Sequence, residues 1–227
     1  MTKKVITIDG PAGAGKSTVS KALADRLQYL YLDTGALYRA LAFKALKKNM
    51  DVNHPGELAE LCSTTEVALQ KVNGNMTVLV DGEDVGEKIR TEEVGLAAST
   101  ISAFAVVREK LLSLQREAGA GGGIVAEGRD MGSVVFPNAD FKFYLDADLE
   151  ERIRRRCGEL ASKTGEAEHS AVSRDMRARD AQDTNRKIAP LAAAPDAVII
   201  DSTSLTIPQV VEKILEHLSR ASASDNR

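Results

Sequence analysis

"VITIDGPAGAGKSTVSKALADRL", Val5 to Leu27, is the stretch on which the fold turns. "VITID" (Val5–Asp9) reads as a short buried strand, and "STVSKALADRL" repeats its apolar residues at helical spacing. Between them the sequence fits G-x-x-x-x-G-K-[ST], with Gly10, Gly15, Lys16 and Ser17 in the fixed places. Strand, glycine loop and helix in that order aim a helix N-terminus at an anion. Glycines let the backbone fold closely enough to turn its N–H groups toward phosphate oxygens. The Lys16 ammonium adds a point charge for the β and γ oxygens, and the Ser17 hydroxyl can ligate Mg²⁺. The expected nucleotide-binding residues are Gly10, Pro11, Ala12, Gly13, Ala14, Gly15, Lys16, Ser17 and Thr18. A dinucleotide fingerprint does not fit, because Gly13 and Gly15 would require glycine or alanine where Thr18 stands. The stretch reads as a nucleoside triphosphate loop.

Working outward, 227 residues with 43% hydrophobic content suit one core domain with an elaboration. The net charge of −3 gives no global attraction to nucleic acid or membrane, so an anion site must come from local clustering. Cys62 and Cys157 lie far apart in no metal-ligand spacing and read as reduced thiols. "MTKK" does not open a signal peptide, and no apolar run reaches membrane-spanning length, so a cytoplasmic location is expected.

Further strands are expected at Leu30–Leu32, Gly123–Gly128, Phe141–Asp146 and Ala197–Asp201. Helices are expected at Ala36–Lys48, Val106–Ala118, Leu149–Leu160, Ala171–Ala181 and Pro208–Arg220. The alternation predicts an α/β fold, a five-stranded parallel sheet covered on both faces. From about Ser63 to Arg90 the rhythm breaks: "EVALQKV" and "MTVLV" flank "NGN", a hairpin signal inside an antiparallel insert. The cluster "GAGGG" (Gly119–Gly123) lacks a lysine and precedes a strand, so it reads as a connector. The small polar tail "ASASDNR" is expected to fray.

Ligands bind at the carboxyl ends of strands in such sheets, and two motifs fall there. In "DTGALYR" (Asp33–Arg39), Thr34 could cap the next helix, and Arg39 is either a surface arginine or an anion ligand. In "EGRDMGSVVFP" (Glu127–Pro137), Arg129 and Asp130 are placed beside the phosphate loop. Glu127 and Asp146 are alternative strand-end carboxylates for holding Mg²⁺ through water. Arg152, Arg154, Arg155 and Arg156 share one helix, where a solvated face paired with Glu150, Glu151 and Glu159 competes with a phosphate-binding role. Helical spacing puts Arg179, Asp183 and Arg186 on one stripe, which is either a surface ladder or a clamp on a transferring phosphoryl group. An acceptor that is itself a phosphate needs no general base, only positioning and charge neutralisation. An alcohol acceptor would need one, and Asp33 is the candidate. His54, His169 and His217 are read as structural.

The ordered set "GPAGAGKST", "LDTGALYR", "RTEEVGLAASTISA", "VREKL", "EGRDMGSVVFP", "RDAQDTNRKIAPL" and "DST" resembles the bacterial cytidylate kinases over nearly the whole chain. "TGxxxR" is also similar to the monophosphate site of adenylate kinases. The resemblance implies a single monophosphate kinase domain: a core of residues 1–62 and 91–227, a lid at about 152–169, and residues 63–90 as the β-rich part of the acceptor domain. It implies phosphoryl transfer from ATP to CMP or dCMP with Mg²⁺. The expected partners are these nucleotides, with no nucleic acid and no membrane, and a monomer is expected. Matched residue by residue, Arg39 and Arg129 would bind the acceptor phosphate, with Thr34 beside them. Ser99, Arg108 and Asp130 would read cytosine, Arg179 and Asp183 would hold the sugar, and Arg186 would lie next to them. Arginines of the lid, Arg155 among them, would meet the donor phosphates. Lys16, Arg129, Asp130 and Arg179 would carry catalysis, and Ser17 would ligate the metal. Many such kinases have glycine at position 17, aspartate at 127 and serine at 34, so Ser17 adds a metal-ligating hydroxyl to the family pattern. Kinases for another monophosphate or for an alcohol such as shikimate, and a nucleotide-dependent switch, are the competing readings. The switch would usually carry N-K-x-D and D-x-x-G, which are not found here.

Overall fold

A computed structural model describes residues 3–72, 75–164 and 168–224. Strand β1 (Val5–Asp9) leads through the glycine loop to helix α1 (Lys16–Leu27), β2 (Leu30–Asp33) and α2 (Thr34–Lys47). Then follow α3 (Pro55–Thr64), the short strands β3 (Val67–Val72), β4 (Asn75–Val80) and β5 (Glu83–Asp84), α4 (Glu92–Ile101) and α5 (Ala105–Gly119). The chain returns through β6 (Ile124–Gly128), a π-helical turn (Met131–Val135), β7 (Phe141–Asp146), α6 (Leu149–Thr164), α7 (His169–Asn185), β8 (Val198–Asp201) and α8 (Ile207–Ser224).

The main sheet has the order β2-β6-β1-β7-β8, and every neighbouring pair is parallel. Parallel strands are buried on both faces, which suits an apolar run such as "VITI". Ile6, Ile8, Val125, Phe143 and Leu145 pack on one face against Val19 and Leu23 of α1 and Val210 and Ile214 of α8. Val19 and Leu23 stand four apart on one helical face and are fully buried. Each such side chain stabilises the fold by about 1.5–3 kcal/mol relative to exposure. Leu32, Ile124 and Ala126 pack on the other face against Met131 and Val135 of the π-helical turn. Register sets the site: Glu127 pairs with both Ile8 and Asp33, and Asp9 pairs with Gly128 and Tyr144. Asp9, Asp33 and Glu127 therefore finish along one carboxyl edge.

A second core joins α2, α3, α4 and α5 to the antiparallel sheet β3-β4-β5, through Leu37, Leu41, Leu61, Val78, Val80 and Ile101. The expected hairpin forms with Val72 opposite Asn75, while Asn73 and Gly74 lie outside the described residues. Two helices here were not expected. Helix α3 starts at Pro55 after His54, whose ring nitrogen accepts the Glu57 N–H, and α4 starts after Thr91, whose hydroxyl accepts the Val94 N–H. At 10 residues each, they are too short to establish a helical period against the background. Helix α7 runs beyond the expected Ala171–Ala181 at both ends. Helix α8 continues through Ser224, so the first four residues of the tail are helical instead of frayed. Residues 165–167, within the expected lid, lie outside the described residues. No helix among the described residues is long and apolar enough to cross a membrane.

Candidate active site

The glycine loop takes the shape its composition allows. Gly10 has φ +147°, and a Cβ there would sit 2.0 Å from the Leu145 carbonyl oxygen, so no side chain fits. Gly15, with φ +90°, is the N-cap of α1 and supplies no side-chain cap, which leaves the first-turn N–H groups pointing at the loop's mouth. Lys16 is buried and donates to the Pro11 carbonyl at 2.6 Å. Burial, and next the positive charge of Arg129, push its ammonium down to about 7. An anion placed in this loop would reverse that shift.

Beside the loop, Ser17 lies within hydrogen-bonding reach of Glu127 and Tyr31, and the Tyr31 hydroxyl donates to the Glu127 carboxylate. Burial and then the nearby Asp33 raise the Glu127 pKa. The Ser17 hydroxyl and the Glu127 carboxylate are hard oxygen donors, the type that suits Mg²⁺. Of the two strand-end carboxylates left open by the sequence, Asp146 is engaged with the Ala147 N–H at 2.9 Å, and Glu127 is the one beside Ser17. Thr34 does not cap α2. Asp33 does, accepting the Ala36 N–H at 3.0 Å, while the Thr34 hydroxyl donates to the Glu127 carbonyl at 2.7 Å.

Cations converge on the next position along the edge. Arg39 pairs with Asp33 at 2.7 Å, and Arg129 donates through Nε to Asp183 at 2.8 Å. Arg179 lies close to Arg129 and Arg39, and its Nε is buried without a hydrogen-bond partner among the described residues. Burial, then repulsion from Arg129, lower its pKa to about 10. A buried Nε–H left without an acceptor, with Arg129, Arg39 and Arg156 near and Asp183 the nearby carboxylate acting on it, is costly unless an anion completes it.

Further in lies a polar cluster. Asp130 is held between Arg108 and, at 3.3 Å, Arg186. The Arg108 guanidinium lies over the Tyr38 ring, 5.6 Å from its centroid. Arg186 also donates to the Ser102 hydroxyl at 3.2 Å. The Ser99 hydroxyl donates at 3.3 Å to Gln182 and Asp183. Arg186 is the residue after α7, not part of it, yet it still turns inward.

The arginines of α6 separate in function by burial. Arg154 is exposed and pairs with Glu151, the solvated arrangement expected for some of this group. Arg152 is buried and donates to the Ala12 and Ala147 carbonyls and to Asp180, so it braces the loop instead of facing its mouth. Arg155 reaches Ser202 in the "DST" segment and comes 4.0 Å from the position of a Cβ on Gly15. Arg156 pairs with Glu92 of α4 and Glu159. The structure thus brings together the loop, Arg39, Arg129, Arg179 and Asp183, and sets Ser99, Arg108, Asp130 and Arg186 beside them. Tyr31, Tyr38, Ser102 and Gln182 were not anticipated. The alternation of β2 gave a usable signal for Tyr31, which shares a sheet face with Asp33 two residues on.

The geometry can hold two anionic groups side by side, one in the loop and one at the arginines. The profile of the cytidylate kinase family matches residues 6–220. A cytidylate kinase of Citrifermentans bemidjiense is 51% identical over 208 residues, covering 92% of this chain and 89% of the relative. One of Symbiobacterium thermophilum is 46% identical over 217 residues, covering 95% and 96%. A gluconokinase structure from Sinorhizobium meliloti superposes with a TM-score of 0.50 at 13% identity, covering 98% of this chain and 95% of that one, and is similar in fold alone. This chain belongs to the cytidylate kinase family.

Proposed function

We propose that this protein transfers the γ-phosphoryl group of ATP to CMP or dCMP, giving ADP and CDP or dCDP. The observation that carries the reading is Arg179 on α7, half-buried, with a buried Nε that has no hydrogen-bond partner among the described residues and with Arg129 and Arg39 close by. Residues 10–18 cradle the donor phosphates, with Arg155 at their outer edge. Arg39 and Arg129 bind the acceptor phosphate, and Thr34 fixes the local backbone. Arg179 and Asp183 hold the sugar and the incoming phosphate together. Ser99, Arg108 and Asp130 face the base, and Arg186 supports Asp130 from behind.

An acceptor phosphate oxygen attacks the γ phosphorus, and the bond from that phosphorus to the β,γ-bridging oxygen breaks. The nucleophile is already anionic at neutral pH, so no residue has to remove a proton. Catalysis is then positioning and charge stabilisation. Arg39, Arg129 and Arg179 offset the repulsion between two anions, and the Lys16 ammonium follows the charge developing on the leaving group. Ser17 and Glu127 are the residues that would hold Mg²⁺, which when bound neutralises charge on the β and γ oxygens. Residues 152–169 act as a lid and residues 63–90 as part of the acceptor domain. ADP release with a panel of CMP, dCMP, AMP, shikimate and gluconate tests the class. Turnover confined to the cytidine nucleotides is expected, and turnover of an alcohol alone would overturn it.

A further inference from the structure

The corner bearing Arg129 and Asp130 lies between the end of β6 and the π-helical turn. A π-helical turn is rare and, like any helix start, leaves its first N–H groups without intrahelical partners. Here both are taken by one side chain. The Met131 N–H donates to Asp9 Oδ1 and the Gly132 N–H to Asp9 Oδ2, each at 2.8 Å. At the other end of the turn, Arg116 of α5 donates through Nε to the Val135 carbonyl and through Nη2 to the Val134 carbonyl, each at 3.0 Å. Within the turn, Asp130 accepts the Val134 N–H through its own carbonyl at 2.9 Å. The turn is thus gripped from both ends by side chains of two other elements.

Asp9 is the residue immediately before Gly10, so its place in the sequence suggests a role in the donor loop. Its side chain points elsewhere. Alternation along β1 puts Asp9 on the face of Thr7, toward the π-helical turn, and Ile6 and Ile8 on the face toward α1 and α8. Asp9 is buried and spends both oxygens on that turn. The next residue toward the N-terminus from its partner Met131 is Asp130, whose carboxylate sits between Arg108 and Arg186.

We propose that Asp9 and Arg116 are positioning residues for the acceptor site, holding the Arg129–Asp130 corner in register so that base selectivity depends on a side chain of the donor-loop strand. This rests on the cytidylate-kinase reading of the site. Neither residue touches substrate. Asp9 acts through the backbone of Met131 and Gly132, and Arg116 through the backbone of Val134 and Val135.

The test is steady-state kinetics of Asp9→Asn and Arg116→Ala, with CMP, UMP and ATP each varied, beside amide exchange of the folded variants. Asparagine can accept only one of the two N–H groups, because its amide nitrogen is a donor. Displacements of about an ångström at a binding group cost up to about 10²-fold. Asp9→Asn should raise KM for CMP by roughly 10-fold and lower the CMP-to-UMP ratio of kcat/KM by a similar factor, with KM for ATP within about 2-fold of wild type. Exchange at Met131 and Gly132 should quicken. Arg116 is exposed, so Arg116→Ala should fold, and it should raise KM for CMP in the same direction by about 3-fold. If Asp9→Asn does not fold, Arg116→Ala decides alone. A rise in KM for ATP with KM for CMP and the selectivity ratio unchanged would overturn the proposal, as would unchanged values in both variants. Wild type inactive on CMP would overturn the function instead. Exchange across 131–135 would then decide the clamp, with wild-type rates in both variants counting against it.

Discussion

Arg179 and Lys16 share a problem, a positive charge whose surroundings disfavour it: Lys16 is buried, and Arg179 is half-buried with an unpartnered Nε beside Arg129. On the proposed reading, an anion of the substrate offsets this for Arg179. Replacing it with an apolar side chain of similar length removes an unpartnered donor and its repulsion with Arg129. Arg179→Met should therefore leave Tm unchanged or higher while lowering kcat/KM for CMP by about 10²-fold or more, read by calorimetry and by initial rates. A lower Tm with normal kinetics would make Arg179 a structural residue. For Lys16, the sign follows from the depressed pKa. Above about pH 7 the empty protein has lost a proton that phosphate binding favours restoring, so binding takes up a proton and weakens as pH rises. Calorimetric titration with ATP in chelator at pH 8, in buffers of differing ionisation enthalpy, should show uptake approaching one proton. Lys16→Ala should abolish that uptake and lower kcat by about 10²-fold or more with the fold intact. The loop itself was legible because its residue types and spacing are dictated by phosphate chemistry. The pairings were not, since Asp130 with Arg108 and Arg186, or Arg129 with Asp183, join residues far apart in the chain, and only the packing of α5 and α7 around the end of β6 brings them together.

At the level of elements, α6 and α7 are the part of the core with the most reason to move. Their apolar contact with the loop is a small cluster, in which Ile153, Val172 and Met176 pack with Ala12, and the rest of their attachment is polar, through Arg152–Asp180, Arg129–Asp183, Ser99–Asp183 and Arg156–Glu92. Few apolar contacts give a low local opening energy. Amide exchange in α6 and α7 should be faster than in β1 and β6 and should slow when a bisubstrate analogue binds. Arg156→Ala should widen that difference between the free and bound protein. Identical exchange with and without the analogue would mean a fixed cover instead of a lid. The five core strands and the helices with long apolar periods were readable from pattern. Helices α3 and α4 and the π-helical turn were not. The first two are set by caps and tertiary burial in ten residues each, and the turn is set by Asp9 and Arg116, which no local pattern reveals.

Over the whole molecule, the parallel sheet lines up Asp9, Asp33 and Glu127 at one edge, and the chain covers that edge from two sides. On the proposed reading, α1 and its loop supply the donor half, and α2, α4 and α5, together with the Arg129–Asp130 corner and α7, supply the acceptor half. The central claim is that the polar cluster around Asp130 reads cytosine. Cytosine offers a donor at N4 and an acceptor at N3, where uracil offers an acceptor and a donor. A carboxylate such as Asp130 and a donor such as Arg108 match the first pattern and mismatch the second. Sites built from buried polar groups discriminate by roughly 10²- to 10⁴-fold when such groups are left mismatched. The most direct measurement is kcat/KM for CMP and for UMP on the wild-type protein, in parallel at matched ATP. A preference for CMP of at least about 10²-fold is predicted, and equal values for the two nucleotides would contradict the assignment.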